Sequence, residues 1–181
     1  MSVWKRSLVT VVAGVTLVGG CACSPAGDTD GGSSETTSAS SSEKELKSVK
    51  PCDMLSPDTL DFFGLEAPGE PADTLPRKAG CNFGGDPVSV TLLKDERNTV
   101  SSNEQKSVWV EFERLGVNGR TGARAITQGT TKARLCNVMF EAGEGLIQVQ
   151  ARENQQSDDV DECRKALEIA KRIEPNVPEL A

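Results

Sequence analysis

Apolar residues recur at every second position in several short stretches of this chain and at helical spacing in others. Cys136, Val138 and Phe140 alternate with polar or long side chains, and Ile147, Val149 and Ala151 do so after the turn Ala142-Gly143-Glu144-Gly145. Both stretches predict strands with one inward face, because side chains alternate across a strand. Cys81-Asn82-Phe83 and residues 88–93 predict two further strands joined through Gly84-Gly85-Asp86-Pro87. Ser56-Pro57 followed by Thr59, Leu60, Phe62 and Phe63 and closed by Gly64 predicts a short helix, with serine as cap and proline at the first helical position. A longer helix is predicted from Val160, Cys163, Leu167, Ala170 and Ile173, which fall on one face. Asp158, Asp159, Asp161 and Glu162 suit its positive end and Lys171 and Arg172 its negative end, and Pro175 stops it.

Residues 102–117 fit two periods at once. Val108, Trp109, Phe112 and Leu115 lie at helical spacing, while Val108, Val110 and Phe112 alternate as in a strand. A short helical start passing into a strand is expected, then a turn at Asn118-Gly119 and a strand over 123–128. Residues 68–80, rich in proline and glycine, are expected to form a connection. The pattern as a whole predicts an α+β fold: one small domain with an antiparallel sheet packed against N-terminal and C-terminal helices.

The N-terminus follows a different pattern. Lys5 and Arg6 precede an apolar run from Leu8 to Val18, and Gly19-Gly20-Cys21 follows. A charged start, a short apolar middle and small residues before the cut are the features of an export signal. The cysteine adds lipidation: residues 1–20 are expected to be a lipoprotein signal peptide, with Cys21 the acylated N-terminus of the mature chain. The apolar run is well short of the roughly 20 residues a spanning helix needs. Residues 24–42 are nearly all Ser, Thr, Gly, Ala and Asp. Such a stretch cannot bury enough apolar surface to offset the entropy of folding. Residues 21–48 are therefore expected to be a lipidated, flexible tether reaching about 30 Å, and 49–181 an extracytoplasmic domain. The expected location is the outer face of a cell membrane.

Charge and composition narrow the partners. The chain has 20 cationic and 27 anionic side chains, a net charge of −7; without Lys5 and Arg6 it has 18 against 27, or −9. Nucleic acid is excluded as a partner, since phosphates demand a basic footprint. Five Phe, no Tyr and one Trp beyond the signal leave a modest core, of the kind exported domains supplement with cross-links. Cys52, Cys81, Cys136 and Cys163 allow three pairings. Cys52 with Cys81 would tie the segment before the first helix to a strand, and Cys136 with Cys163 would tie a central strand to the last helix; these two bridges are expected. Cys23, in the tether, has no assigned role.

Candidate chemistry is sparse. With no His and no Tyr in the chain, every Ser-His or Cys-His arrangement is absent. Glu111 and Glu113 would share one strand face as a carboxylate pair, but an exposed edge explains them better than an acid and a base. The Asp158–Glu162 cluster lacks the alternating ligands and glycine of a calcium loop, and helix capping explains it. Residues 116–122 are glycine-rich without the spacing or lysine of a phosphate loop. No catalytic residue, metal site or cofactor is expected, and the chain is read as not an enzyme.

The order of several short motifs resembles a family of actinobacterial lipoproteins, domain of unknown function 3558. The motifs are Pro51-Cys52-Asp53-Met54-Leu55, Gly80-Cys81-Asn82-Phe83, Gly119-Arg120 and the late Cys136 and Cys163, after a lipidated cysteine and a Ser/Thr-rich tether. This sequence departs in having Phe83 where tryptophan is more usual and Gly122-Ala123 after the Gly-Arg turn. The resemblance implies an envelope protein with a disulfide-bearing α+β domain and brings no established activity and no catalytic residues. Two functions follow as expectations. One is a non-enzymatic binding or accessory module docking on another envelope protein. The other is a carrier or sensor of a small apolar or amphipathic ligand held around Trp109 and Phe112.

Overall fold

Strand-forming residues and tight turns arrange most of the chain as consecutive antiparallel hairpins. A computed structural model of the chain describes residues 45–72, 78–129, 135–154 and 160–180. The chain falls into two compact units, Met1–Ala39 and Ser40–Ala181, and the first lies outside the described residues. The strands are β1 (Glu70–Pro71), β2 (Lys78–Phe83), β3 (Val88–Asp95), β4 (Trp109–Val117), β5 (Arg120–Thr127), β6 (Leu135–Ala142) and β7 (Gly145–Glu153). They form one antiparallel sheet in the order β1-β2-β3-β7-β6-β5-β4. The helices are α1 (Pro57–Phe63), α2 (Val100–Glu104) and α3 (Glu162–Ile173). The fold is α+β, a single small domain with two disulfides.

The first helix forms for the reasons its sequence suggests. Ser56 accepts from the Thr59 N–H, Pro57 opens the helix and Gly64 closes it in the left-handed region at φ 65°. At α3, Asp161 caps by accepting from the Arg164 N–H, and Lys171 and Arg172 occupy the last turn. Its buried stripe keeps Ala170 and Ile173 of the expected face and otherwise shifts. Ala166, Ile169, Ala170 and Ile173 are buried, while Val160, Cys163 and Leu167 lie at the margin. The sequence pattern gave weight to the larger Leu167, but close approach of helix and sheet favours alanine at the centre of contact.

Strands β6 and β7 correct a second expectation. Val138 and Phe140 with Ile147, Val149 and Ala151 do pack toward α3. Yet Asn137, Met139, Leu146 and Gln148 on the other face are buried as well. A second cluster, Val100, Ala123, Ala125, Met139 and Leu146, lies there, with Trp109 and Phe112 against it. These central strands are thus covered on both sides, α3 on one face and α2 on the other. Boundaries also shift: β5 begins at Arg120, β2 at Lys78, and Glu70–Pro71 forms β1 inside the expected connection. Leu46, read as tether, is 5% exposed and belongs to the main core, so folded structure begins ahead of Val49.

Candidate functional site

The signal run, Cys21 and Cys23 lie outside the described residues, as do Asp158 and Asp159. The four domain cysteines are bonded as Cys52–Cys81 and Cys136–Cys163. Glu111 and Glu113 share one face of β4, and Arg124 on β5 reaches both, at 3.9 and 2.7 Å. Both carboxylates are exposed. Glu162 stands in the first turn of α3 beside the cap Asp161. Among the described residues no group of three or more His, Cys, Asp and Glu is arranged to hold a metal ion, and no helix is long and apolar enough to cross a membrane.

The glycine-rich segment 116–122 is a two-residue hairpin turn. Val117 pairs with Arg120, and the intervening Asn118 and Gly119 take φ of 47° and 93°, the left-handed pair that matches the twist of a hairpin. Asn118 donates from Nδ2 to the Lys171 carbonyl at 2.8 Å and to the Glu174 carboxylate at 3.1 Å, capping the end of α3. Arg120 pairs with Glu174 and donates to the carbonyls of Pro178, Val177 and Glu141. One hairpin tip thereby clasps the C-terminal segment. Gly122 is required by contact: a Cβ there would lie 2.7 Å from the Met139 carbonyl oxygen.

The open side of the sheet is β4, which pairs with β5 and ends the strand order. Trp109 pairs with Thr127 and Glu111 with Ile126, so Val110 is an extra residue, a β-bulge. The bulge brings Trp109 and Phe112 to the same face, their ring centroids 6.2 Å apart. In a regular strand residues three apart face opposite ways. The expected helical start is α2 at 100–104, and the mixed periodicity of Val108 to Leu115 comes from the bulge in β4. Trp109 donates from Nε1 to the Asn103 carbonyl at 2.7 Å, which satisfies its polar edge. Val108 and Val110 are 46% and 56% exposed at the outer rim. Arg114 donates to Glu104 and to Ser101 of α2. The guanidinium holds the Glu104 carboxyl below its ordinary range, and Glu104 raises Arg114 in return. Burial lowers the Lys106 ammonium, with Asp95 opposing that shift. Phe62, an exposed ring, lies under the Arg172 guanidinium at 4.3 Å.

A family model described as Protein of unknown function (DUF3558) matches residues 16–176. The chain belongs to that family. No curated protein and no solved structure matches it. In this DUF3558 chain, the motifs that carried the resemblance have structural duties. Pro51 opens a 3₁₀ turn that presents Cys52 to Cys81 on β2. Gly80 lets Leu93 and the Ala72 carbonyl approach where a Cβ would sit 2.7 and 2.9 Å from them. Phe83 is buried against Gly69, and Arg120 clasps the C-terminus. The exposed β4 rim lies outside these motifs. Its bulge has a signal in the sequence, the coexistence of two periods, whereas the role of Arg120 has none beyond its position after the turn.

Proposed function

We propose that this protein is a membrane-anchored lipoprotein of the cell envelope, held by acylated Cys21, whose domain is a non-enzymatic binding or accessory module. What carries this is the outer rim of β4, an edge strand of nine residues that ends the strand order and pairs only with β5 among the described residues. Unpaired strand groups are a template for another strand. A second copy fits poorly: antiparallel self-pairings centred on Phe112, Glu113 or Arg114 set Glu111 against Glu113, Glu113 against itself, or Arg114 against itself, and like charges directly opposite destabilise a sheet. The occupant is instead an extended segment of another envelope protein, with Lys or Arg opposite Glu111 and Glu113. Exported origin is supported by the signal pattern of Lys5 to Cys21 and by the disulfides. A small-ligand carrier around Trp109 and Phe112 is the second function, favoured only by the two rings sharing a face.

A photo-crosslinking amino acid placed at Val110 in the intact envelope tests the docking function. The expected result is capture of one protein through an extended Lys- or Arg-bearing peptide, lost when Glu111→Lys and Glu113→Lys are added. A correctly folded domain that captures nothing from position 110, or captures equally with both lysines present, overturns it. In the same cells Cys21→Ser is expected to move the protein out of the membrane fraction.

A further inference from the structure

We infer that Gly116 on β4 seats an aromatic side chain of the docked partner, which lies antiparallel along residues 111–117 and carries Lys or Arg toward its other end. The inference rests on the docking function and gives it a register and a partner chemistry. The fold limits the stretch at both ends. The bulge at Val110 ends regular pairing on one side, and the turn at Asn118-Gly119 ends the strand on the other. Between them β4 pairs with β5 without a register shift, from Glu111 opposite Ile126 to Val117 opposite Arg120. An antiparallel strand continues the order of the sheet, and that pairing is the more stable per residue.

Gly116 has no use within the fold itself. Glycine weakens a strand interior, and there it marks a bulge, a tight bend or a site where a ligand or another backbone comes close. Gly116 lies outside the bulge, and its φ is not positive, unlike that of Gly119. Among the described residues, no atom beyond its chain neighbours lies within 4 Å of where its Cβ would stand. Gly122 on the neighbouring strand is the contrast, since a Cβ there would press on the Met139 carbonyl oxygen. What Gly116 leaves is an exposed gap in the edge strand, open to a side chain from outside. An aromatic ring fits it, because a ring laid across an edge glycine from the next strand covers the bare backbone.

The two faces of the stretch define the rest of the partner. Phe112, Arg114 and Gly116 alternate onto the α2 face, where Phe112 packs on the second cluster and Arg114 binds Ser101 and Glu104. A ring opposite Gly116 has Arg114 as its diagonal neighbour, within reach of the guanidinium that an aromatic face attracts. Arg114 is already neutralised by Glu104, so an uncharged residue belongs directly opposite it. Glu111, Glu113 and Leu115 alternate onto the α3 face, where Leu115 packs on the main core and both carboxylates share the Arg124 guanidinium. Two negative charges on one cation leave one in excess, which the partner's Lys or Arg balances. In the partner's own direction the ring comes first, an aliphatic residue follows it opposite Leu115, and the cation comes two positions later opposite Glu113.

Fluorescence anisotropy of the full chain with the labelled peptide Thr-Phe-Val-Thr-Lys-Val-Lys, whose residues fall opposite positions 117 down to 111, tests the seat. Binding is expected. It should weaken about fivefold when the peptide's Phe becomes Ala, and about fivefold with Gly116→Val in the protein, the worth of one cross-strand aromatic contact. Gly116→Val and the smaller Gly116→Ala should each leave the denaturation midpoint unchanged or raised, because both fill open space and neither loses a contact. A weaker partner on an undiminished fold is a result that a merely structural glycine would not give. The seat is overturned if the peptide does not bind, if its Ala form binds as well, or if Gly116→Val binds it as tightly as the parent. Capture from Val110 in the envelope reads docking separately. Capture undiminished by Gly116→Val overturns the seat and leaves docking standing, whereas no capture at all overturns docking.

Discussion

Reduction of both disulfides is expected to bring the domain to the edge of unfolding. Cys52–Cys81 closes a loop with a sequence separation of 29 and Cys136–Cys163 one of 27. On the loop-entropy model each removes freedom from the unfolded chain worth about 3.5 kcal/mol. Together they approach the whole stability of a typical domain, about 5 to 15 kcal/mol. Without Cys136–Cys163, α3 is still held by Ala166, Ile169, Ala170 and Ile173 in the core. Without Cys52–Cys81, Met54 and Leu55 still anchor the segment before α1 in the same core. Denaturant unfolding of Cys136→Ala/Cys163→Ala and Cys52→Ala/Cys81→Ala double variants, beside the oxidised parent, measures each loss. A fully reduced protein that unfolds within about 1 kcal/mol of the oxidised one would refute the expectation.

Arg120→Met should cost about 3 to 5 kcal/mol, the range for removing one partner of a buried ion pair. Arg120 and Glu174 are each 12% exposed, and the guanidinium also serves carbonyls of the C-terminal segment. Methionine keeps most of the volume but leaves the Glu174 carboxylate with only the Asn118 amide as hydrogen-bond partner among the contacts described. The double variant Arg120→Met/Glu174→Gln should recover part of the loss, because the uncompensated charge is then gone. A double-mutant cycle by chemical denaturation reads the coupling directly. Coupling below about 0.5 kcal/mol would mean that the clasp acts through the carbonyl bonds alone.

The motifs of the DUF3558 family acquire a physical meaning from these two features. A cysteine before α1, a Gly-Cys on β2 and a Gly-Arg at the β4–β5 turn are all fasteners: two bridge ends and one clasp. They join parts of the chain distant in sequence, which a small core with few aromatic residues needs. The surface proposed to dock a partner, the β4 rim, uses other residues.

The sequence by itself determined what depends on near neighbours. The cap of α1, the turns at 84–87, 118–119 and 143–144, and the strands β3, β6 and β7 follow from residues within a few positions of one another, so periodicity and turn chemistry reveal them. Both expected disulfide pairings are present too, chosen among three possible sets because each ties a predicted element to a neighbouring segment. Only the tertiary structure decided which side of α3 is buried, that β6 and β7 are covered on both faces, and that Val110 bulges so that Trp109 and Phe112 meet. The same holds for Arg120 against Glu174 and for Asn137 beside Gln150. Each depends on strands and segments brought together from far apart in the chain. A local window cannot register them, because the partner that gives each residue its role lies outside it.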